Sequence, residues 1–336
     1  VVNKEFCTSI SGEKMIINTN EVKYKDIKSD LNNLFKEAFF IDIESTGLSR
    51  VYSNIISITI LLHEEGSYKI HQIFCEYKID EQEALKYLKD LIKTKKYIIT
   101  YNGNSFDLPF LEYKLQNYNI NFDFNSFIKI DLYSLIRQLK NKIETRDLKL
   151  KTIENYFNIK RDDTLCGKDI ITLYEAFRIE PRKEFSSLIL QHNYEDVYNL
   201  PILYNRIISL YDAVLFFNDF IAYIINDDIS IKKDTLICKY NITASHKTAY
   251  IHNSINFNIN INNKVSKIEI RIPLGFYSDN KISEFYFIDN TDYNVKAYSA
   301  IEGIKKNLIP IKFNDNIFNN NVVTIISHIL NNVFSK

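Results

Sequence analysis

The sequence carries no excess charge of either sign: 42 Lys and Arg face 42 Asp and Glu, with 6 His, in 336 residues. That balance excludes a histone-like binder of nucleic acid, because long-range attraction to phosphate needs a basic surplus over the whole molecule. Cysteine is scarce. Cys7, Cys75, Cys166 and Cys238 stand far apart with no CxxC, which argues against a disulfide framework or a short-spaced zinc site and predicts reduced, mostly buried thiols. Glycine (7) and proline (5) are few, so each one beside a polar cluster carries information. The longest apolar stretch, Val51 to Leu62, is too short to span a bilayer and reads as a strand. The first ten residues include Lys4 and Glu5 and lack the apolar core of an export signal. A soluble, cytoplasmic protein with no membrane partner is the expectation.

Apolar residues make up 46% of the chain and aromatics 14%, enough to offset chain entropy and exclude disorder. The length suits about two domains, and composition shifts near residue 215: residues 215–336 hold 20 Asn, the first 214 only 18. Before the shift, Phe39-Phe40-Ile41-Asp42-Ile43 reads as a buried strand. Ile55 to Leu62 and Tyr68 to Phe74 read as a hairpin around Glu64-Glu65-Gly66-Ser67, and Tyr97 to Tyr101 and Phe127 to Ile130 as further strands. Ala84, Leu85, Leu88, Leu91 and Ile92 fall on one helix face. A helix over Phe106 to Leu115 has Pro109 in its first turn, and helical segments run from Leu132 to about Ile208. This order is that of a mixed α/β sheet. Beyond the shift, Ile255, Phe257, Ile259 and Ile261 alternate with polar residues, mostly Asn, and Ile268, Ile270 and Ile272 with charge. Phe285, Phe287, Val295 and Ala297 continue the theme, and Val322 to Val333 closes as an amphipathic helix. These patterns predict an antiparallel, half-exposed sheet. The Asn-rich alternation is read as codon bias rather than as a binding surface.

Three acidic sites interrupt apolar elements. Asp42 and Glu44 are two apart on a strand, so their side chains share a face about 7 Å apart and repel unless a cation intervenes. The plain alternative is a pair of exposed acids at a strand end. Gly47 follows, allowing close backbone approach. Asp107 lies at a helix start after Asn102-Gly103-Asn104, where it serves equally as a cap. His192 and Asp196 are four apart on one helix face, either a surface ion pair or a base beside a metal ligand. Asp42, Glu44, Asp107 and Asp196 together form an oxygen-only donor set of the kind Mg²⁺ or Mn²⁺ prefers. Four such acids can hold two ions around a phosphate.

At these residues the chain resembles the DEDD superfamily of ribonuclease H-like 3′–5′ exonucleases, and within it the YprB-type ribonuclease H-like domain. FFIDIESTGL resembles the first motif, YNGNSFDLPFL the second and HNYEDVYNL the third, in order, over roughly residues 38–208. LKTIENYFNIKRDDTLCG resembles the family's connecting segment. The resemblance implies a ribonuclease H-like α/β fold with a mixed sheet flanked by helices, alongside the smaller antiparallel β-rich C-terminal domain. It implies two Mg²⁺ or Mn²⁺ ions on Asp42, Glu44, Asp107 and Asp196, with His192 orienting or deprotonating water. The expected activity is metal-dependent hydrolysis of DNA or RNA, 3′–5′ from single-stranded ends. The alternative is a catalytically silent nucleic-acid-binding or protein-interaction module. Ser45, Thr46, Gly47, Asn102, Gly103, Asn104 and Phe106 are the expected substrate-binding residues. His192 stands where one subgroup has tyrosine. The expected domains are an N-terminal extension (1–37) packing on the nuclease domain, the nuclease domain itself (38–212) and a C-terminal domain (213–336), the last a candidate for a protein partner. Arg137 to Lys151 holds six cations against Glu144 and Asp147, with Lys160 and Arg161 beyond. This stretch either tracks a phosphate backbone or is a solvated helix face.

Overall fold

The structure, a computed structural model, describes residues 4–6, 15–24, 28–244, 249–278, 283–296, 305 and 307–335. Ala297 and Cys7 lie outside them. The chain divides into two units, Val1–Leu210 and Tyr211–Lys336.

In the first unit the strands are β1 (Lys4–Phe6), β2 (Ile16–Val22), β3 (Ala38–Ser45), β4 (Ile55–Glu64), β5 (Ser67–Phe74), β6 (Tyr97–Thr100) and β7 (Ile128–Asp131). They form one mixed sheet in the order β1-β2-β5-β4-β3-β6-β7, antiparallel from β1 to β3 and parallel from β3 to β7. The helices are α1 (Ser29–Lys36), α2 (Asp80–Ile92), α3 (Asp107–Asn117), α4 (Leu132–Gln138), α5 (Leu150–Tyr156), α6 (Gly167–Ile179), α7 (Lys183–Tyr198) and α8 (Leu200–Ile208). The β4–β5 hairpin turns through Glu65 (φ 49°) and Gly66 (φ 85°), the left-handed pair whose twist matches the strands it joins.

The two faces of β3 differ, and that difference places the acids. Phe39, Ile41 and Ile43 enter an apolar core with Ala84, Leu85 and Leu88 of α2 and Leu108, Leu111 and Leu115 of α3. The alternate residues Asp42 and Glu44 therefore point to the other face, where α7 packs on β3, β4 and β5. A register shift between Glu44 and Ser45 breaks the pairing with β4 at this point, a bulge of the kind that re-aims side chains at functional sites. Just past the bulge, the Ile55 N–H donates to Glu81 Oε1 at 2.7 Å. Glu81 is fully buried and also takes Lys114 Nζ at 3.2 Å and the Tyr118 hydroxyl at 2.8 Å.

The second unit contains β8 (Ala213–Phe216), β9 (Phe220–Ile224), β10 (Ile229–Ile231), β11 (Thr235–Ala244), β12 (Tyr250–Asn253), β13 (Asn258–Asn262) and β14 (Lys267–Pro273) in one antiparallel sheet, where β10 pairs on β11. A second sheet has β15 (Gly275–Ser278), β16 (Glu284–Asp289), β17 (Leu308–Phe313) and β18 (Asn316–Ile317), and α9 (Asn319–Phe334) closes the chain. Ile259, Ile261, Ile268, Ile270 and Ile272 share a core with Val322, Ile326, Ile329 and Leu330 of α9. The alternation through Ile255 and Phe257 does not extend the strand. Ser254 closes a turn onto Phe257 through backbone and hydroxyl bonds, leaving Ile255 94% exposed. Among the described cysteines, Cys75 and Cys238 are buried and Cys166 is exposed ahead of α6.

Replacing Lys114 by Met strands the Glu81 carboxylate in the core and should cost about 3–5 kcal/mol in denaturant unfolding. The double replacement Glu81→Gln with Lys114→Met, which removes the charge and keeps an acceptor for the Ile55 N–H, should recover part of that loss. A single variant as stable as the parent would contradict this role for the ion pair.

Candidate active site

Four elements converge on the polar face of β3. β3 brings Asp42 and Glu44, α7 brings His192, Asn193 and Asp196, the start of α3 brings Asp107, and the loop between α5 and α6 brings Arg161 and Asp163. Asp107 is buried and fixed to the strand, its Oδ1 accepting the Ile43 N–H at 3.1 Å. Asn193 is fully buried. Its Oδ1 accepts from the Ser57 and Thr59 hydroxyls of β4 at 2.9 and 2.6 Å, and its Nδ2 donates to Asp42 Oδ2 at 2.7 Å. One amide thus ties α7 to the strands opposite both acids, since Thr59 pairs with Asp42 and Ser57 with Glu44.

His192 sits in the middle. Its Nε2 lies 3.3 Å from Glu44 Oε1 and 3.6 Å from Asp196 Oδ2, and its Nδ1 lies 2.6 Å from Asp163 Oδ2. Glu44, His192 and Asp196 each offer a ligand atom within 4.8 Å of one another. Asp42 and Asp107 join them electrostatically. Burial pushes the Asp42 carboxyl well above the usual range, and the neighbouring charges of Asp107, Asp196 and Glu44 push it further against the Asn193 bond. Burial likewise raises Glu44, opposed by His192. Asp107 is raised to about 7 by burial, although the Ile43 N–H and its own N–H pull the other way. The imidazole is raised to about 9: burial works against its charge, and contacts with Glu44, Asp196 and Asp163 outweigh it.

Two further residues of the cluster, Arg161 and Asp163, are not singled out as site residues by the sequence, where Lys160 and Arg161 extend a basic stretch read either as tracking phosphate or as a solvated face. Arg161 belongs instead to the site. Its side chain is 7% exposed, and it pairs with Glu154, Asp163, Glu195 and Asp196, closest to Asp196. It is therefore not free to follow a phosphate backbone. Asp163, 3% exposed, also takes Lys151 Nζ at 2.8 Å and the Leu165 N–H at 2.9 Å. Burial opposes its ionisation, but bonds from Lys151, Leu165 and His192 prevail and hold it below the usual carboxylate range. The one sequence signal for this pair is its position inside the connecting segment that accompanies the motifs.

The expected substrate-binding residues lie in two turns. Ser45 Oγ donates to the Gly47 carbonyl at 2.8 Å, and Thr46 Oγ1 accepts the Asn54 N–H at 2.9 Å. A Cβ on Gly47 would come within 2.9 Å of Ser53 Oγ. In the other turn the left-handed residue is Asn102 (φ 62°), and Gly103 is needed for space: a Cβ there would lie 2.5 Å from the Thr100 side chain. The Asn102 and Asn104 N–H groups donate to Asp131, which also caps α4. Phe106 packs on Phe110 beside the apolar core, and the Tyr101 hydroxyl donates to the Leu148 carbonyl.

Residues 39–208 match the RNase_H_2 family of the RNase H superfamily. The chain belongs to the ribonuclease H superfamily. Solved structures similar to this superfamily member include the family B DNA polymerase of the archaeon Pyrobaculum calidifontis, at 13% identity over 50% of this chain and 24% of that one (TM-score 0.41). A second is described as the apo form of a nuclease, at 14% identity over 55% and 77% (TM-score 0.35). A third is the Aedes aegypti Nibbler EXO domain, at 13% over 54% and 83% (TM-score 0.37). This chain thus spans about a quarter of the polymerase's length, and no curated protein matches it. Among the described residues no helix is long and apolar enough to cross a membrane.

Ribonuclease H-like nucleases typically use divalent metals, and the donors here fit: hard carboxylate oxygens held close together, with burial raising the proton affinity of Asp42, Glu44 and Asp107. Asp107 keeps its proton in the folded chain up to about pH 7, whereas the unfolded chain releases it near 4. The folded state then holds more protons between those values. Its contribution to stability is full below about pH 4 and is lost as pH rises through 7. Asp42 and Glu44 shift in the same direction. A divalent ion replaces these protons, so Mn²⁺ should raise the melting temperature more at pH 8 than at pH 6. Equal increments at both pH values would contradict the assignment of these acids.

Proposed function

We propose that this ribonuclease H superfamily member is a metal-dependent nuclease that hydrolyses phosphodiester bonds of DNA or RNA, working 3′–5′ from single-stranded ends. The observation that carries this reading is the convergence of Glu44 and Asp196 around one imidazole nitrogen of His192, with Asp42 and the buried Asp107 joined to them electrostatically. Two Mg²⁺ or Mn²⁺ ions held by the four carboxylates would polarise a water, stabilise the leaving oxygen and neutralise the phosphate. Without ions the neighbouring acids hold the His192 imidazole protonated; ions on those acids would offset their charge and free Nε2 to take a proton from, or orient, the attacking water. Asp163 accepts from Nδ1 and so fixes the tautomer that turns Nε2 toward the acids. Asn193 holds the Asp42 carboxylate in register with β4. Ser45, Thr46, Gly47, Asn102, Gly103, Asn104 and Phe106 form the turns on which a nucleotide would rest.

One observation favours the second reading, a catalytically silent module: Arg161 already supplies Asp196 with a positive charge from within the chain. Incubating end-labelled single-stranded DNA and RNA with Mg²⁺, Mn²⁺ or EDTA separates the two. Cleavage that EDTA abolishes supports the nuclease, and binding without turnover in Mn²⁺ supports the module. In the nuclease, His192→Gln should lower kcat by about 10²–10⁴-fold, and Asp163→Asn by about 10–100-fold through loss of ring orientation. Asp196→Asn should abolish turnover while leaving the melting curve cooperative; normal cleavage by that variant would refute the metal-ligand assignment.

A further inference from the structure

The C-terminal sheet commits one face to its core; the opposite face is buried at β9 through Ile221 and Tyr223, but across β11, β14 and β13 it is built mainly of cations and amides. Strand register places Lys239, Glu269 and Asn260 in one cross-strand row, Arg271 and Asn258 in the next beside Ile237, and Asn241, Lys267 and Asn262 in a third. These residues alternate with Cys238, Tyr240, Ile268, Ile270, Ile259 and Ile261, which face the core, so they share the opposite face. At its edge the β10–β11 hairpin adds Lys232 and Lys233, the latter left-handed at φ 51°, in a tight turn closed by paired Lys232–Thr235 backbone bonds. Lys232, Lys233, Lys239 and Arg271 ring a concavity of about 390 Å³ with Ser230 and Thr235, floored by the buried Ile237.

Glu269 is the carboxylate in these rows, and it organises the cations more than it cancels them. It accepts Arg271 Nε at 2.6 Å and Lys239 Nζ at 3.1 Å, which leaves the rest of the guanidinium fork, the remaining Lys239 N–H donors and the Lys232 and Lys233 heads for a ligand. Asn258, Asn260 and Asn262 are exposed and donate and accept equally, as phosphate, sugar and base edges require. Among the described residues, Ile251 is the one large exposed apolar side chain opposite these rows, so the face lacks the cluster of aromatic anchors that a protein partner would fill.

We propose that this face is a nucleic-acid-binding surface of the C-terminal unit, with Lys232, Lys233, Lys239 and Arg271 taking backbone phosphates and the Asn258–Asn262 amides lying beside them. It deepens the nuclease reading, on which it rests for its choice of polyanion, by giving the substrate a second hold outside the acidic site. Chain neutrality is no obstacle, because phosphate affinity at contact depends on local cations.

The test measures anisotropy of a fluorescent single-stranded 20-mer, as DNA and as RNA, with the full chain in EDTA, so that binding is read without cleavage. Replacing Lys232, Lys233, Lys239 and Arg271 together by Gln should weaken binding at least about tenfold at 0.1 M salt. It should also reduce the slope of log K against log salt by about 0.7 for each phosphate no longer neutralised. The matched variant with Lys232, Lys233 and Lys239 replaced by Arg should bind as the parent does. Unchanged affinity and slope in the Gln variant would overturn the proposal. So would loss of binding in the Arg variant, or displacement of the 20-mer by poly-glutamate as readily as by unlabelled 20-mer. Binding that depends on these cations, with no Mn²⁺-dependent cleavage by the parent, would leave the surface standing and remove the nuclease reading.

Discussion

Mutual repulsion among buried carboxylates is the constraint around which the first unit is arranged. Asp107 is buried and Asp42 and Glu44 are largely shielded from water, and burial with neighbouring charge raises the proton affinity of all three. Left alone, such a group would open the strand face to solvent or stay protonated. The fold compensates from within: the His192 imidazole and the Arg161 guanidinium, both nearly sealed from solvent, bring positive charge to Glu44 and Asp196. Oxygen donors held this closely, and still short of positive charge, are what a divalent ion completes.

Holding like charges together requires a rigid support, and the apolar side of β3 supplies it. Phe39, Ile41 and Ile43 are locked among α2 and α3, so the strand cannot rotate to relieve the acids. Across the sheet, Asn193 fastens α7 to β4 through Ser57 and Thr59, and the Glu81–Lys114 pair anchors the chain just beyond the bulge. The connecting loop is fastened to α7 by Asp163 to His192, by Arg161 to Asp196 and by the Asp162 and Asp163 N–H groups to Glu195.

Much of this was legible in the chain. Asp42, Glu44, Asp107, His192 and Asp196 each break an apolar pattern in motifs that occur in a recognisable order, and period two put the first pair on one face. Arg161 and Asp163 were not legible by the same rule, because they interrupt nothing. A run of alternating charge in a polar loop looks alike whether it faces solvent or folds inward, and only the packing against α7 distinguishes the two. In the C-terminal unit the alternation of Ile with Asn located β13 and that of Ile with charge located β14, but the first ran too far, through Ile255 and Phe257, because a Ser254 turn leaves the periodicity of the letters intact while reversing the chain.

The sequence by itself determined the α/β order of the first unit, the identity of the acids that share a strand face and the kind of ion they suit. Those follow from local periodicity and side-chain chemistry, which need no partner to express them. Tertiary structure alone decided which nitrogen of His192 meets the acids, which cation neutralises Asp196 and which amide carries Asp42. It also decided that Lys239, Arg271 and the asparagines of β13 form one surface, because strand register and helix docking bring together residues dozens of positions apart, and no local pattern encodes that distance.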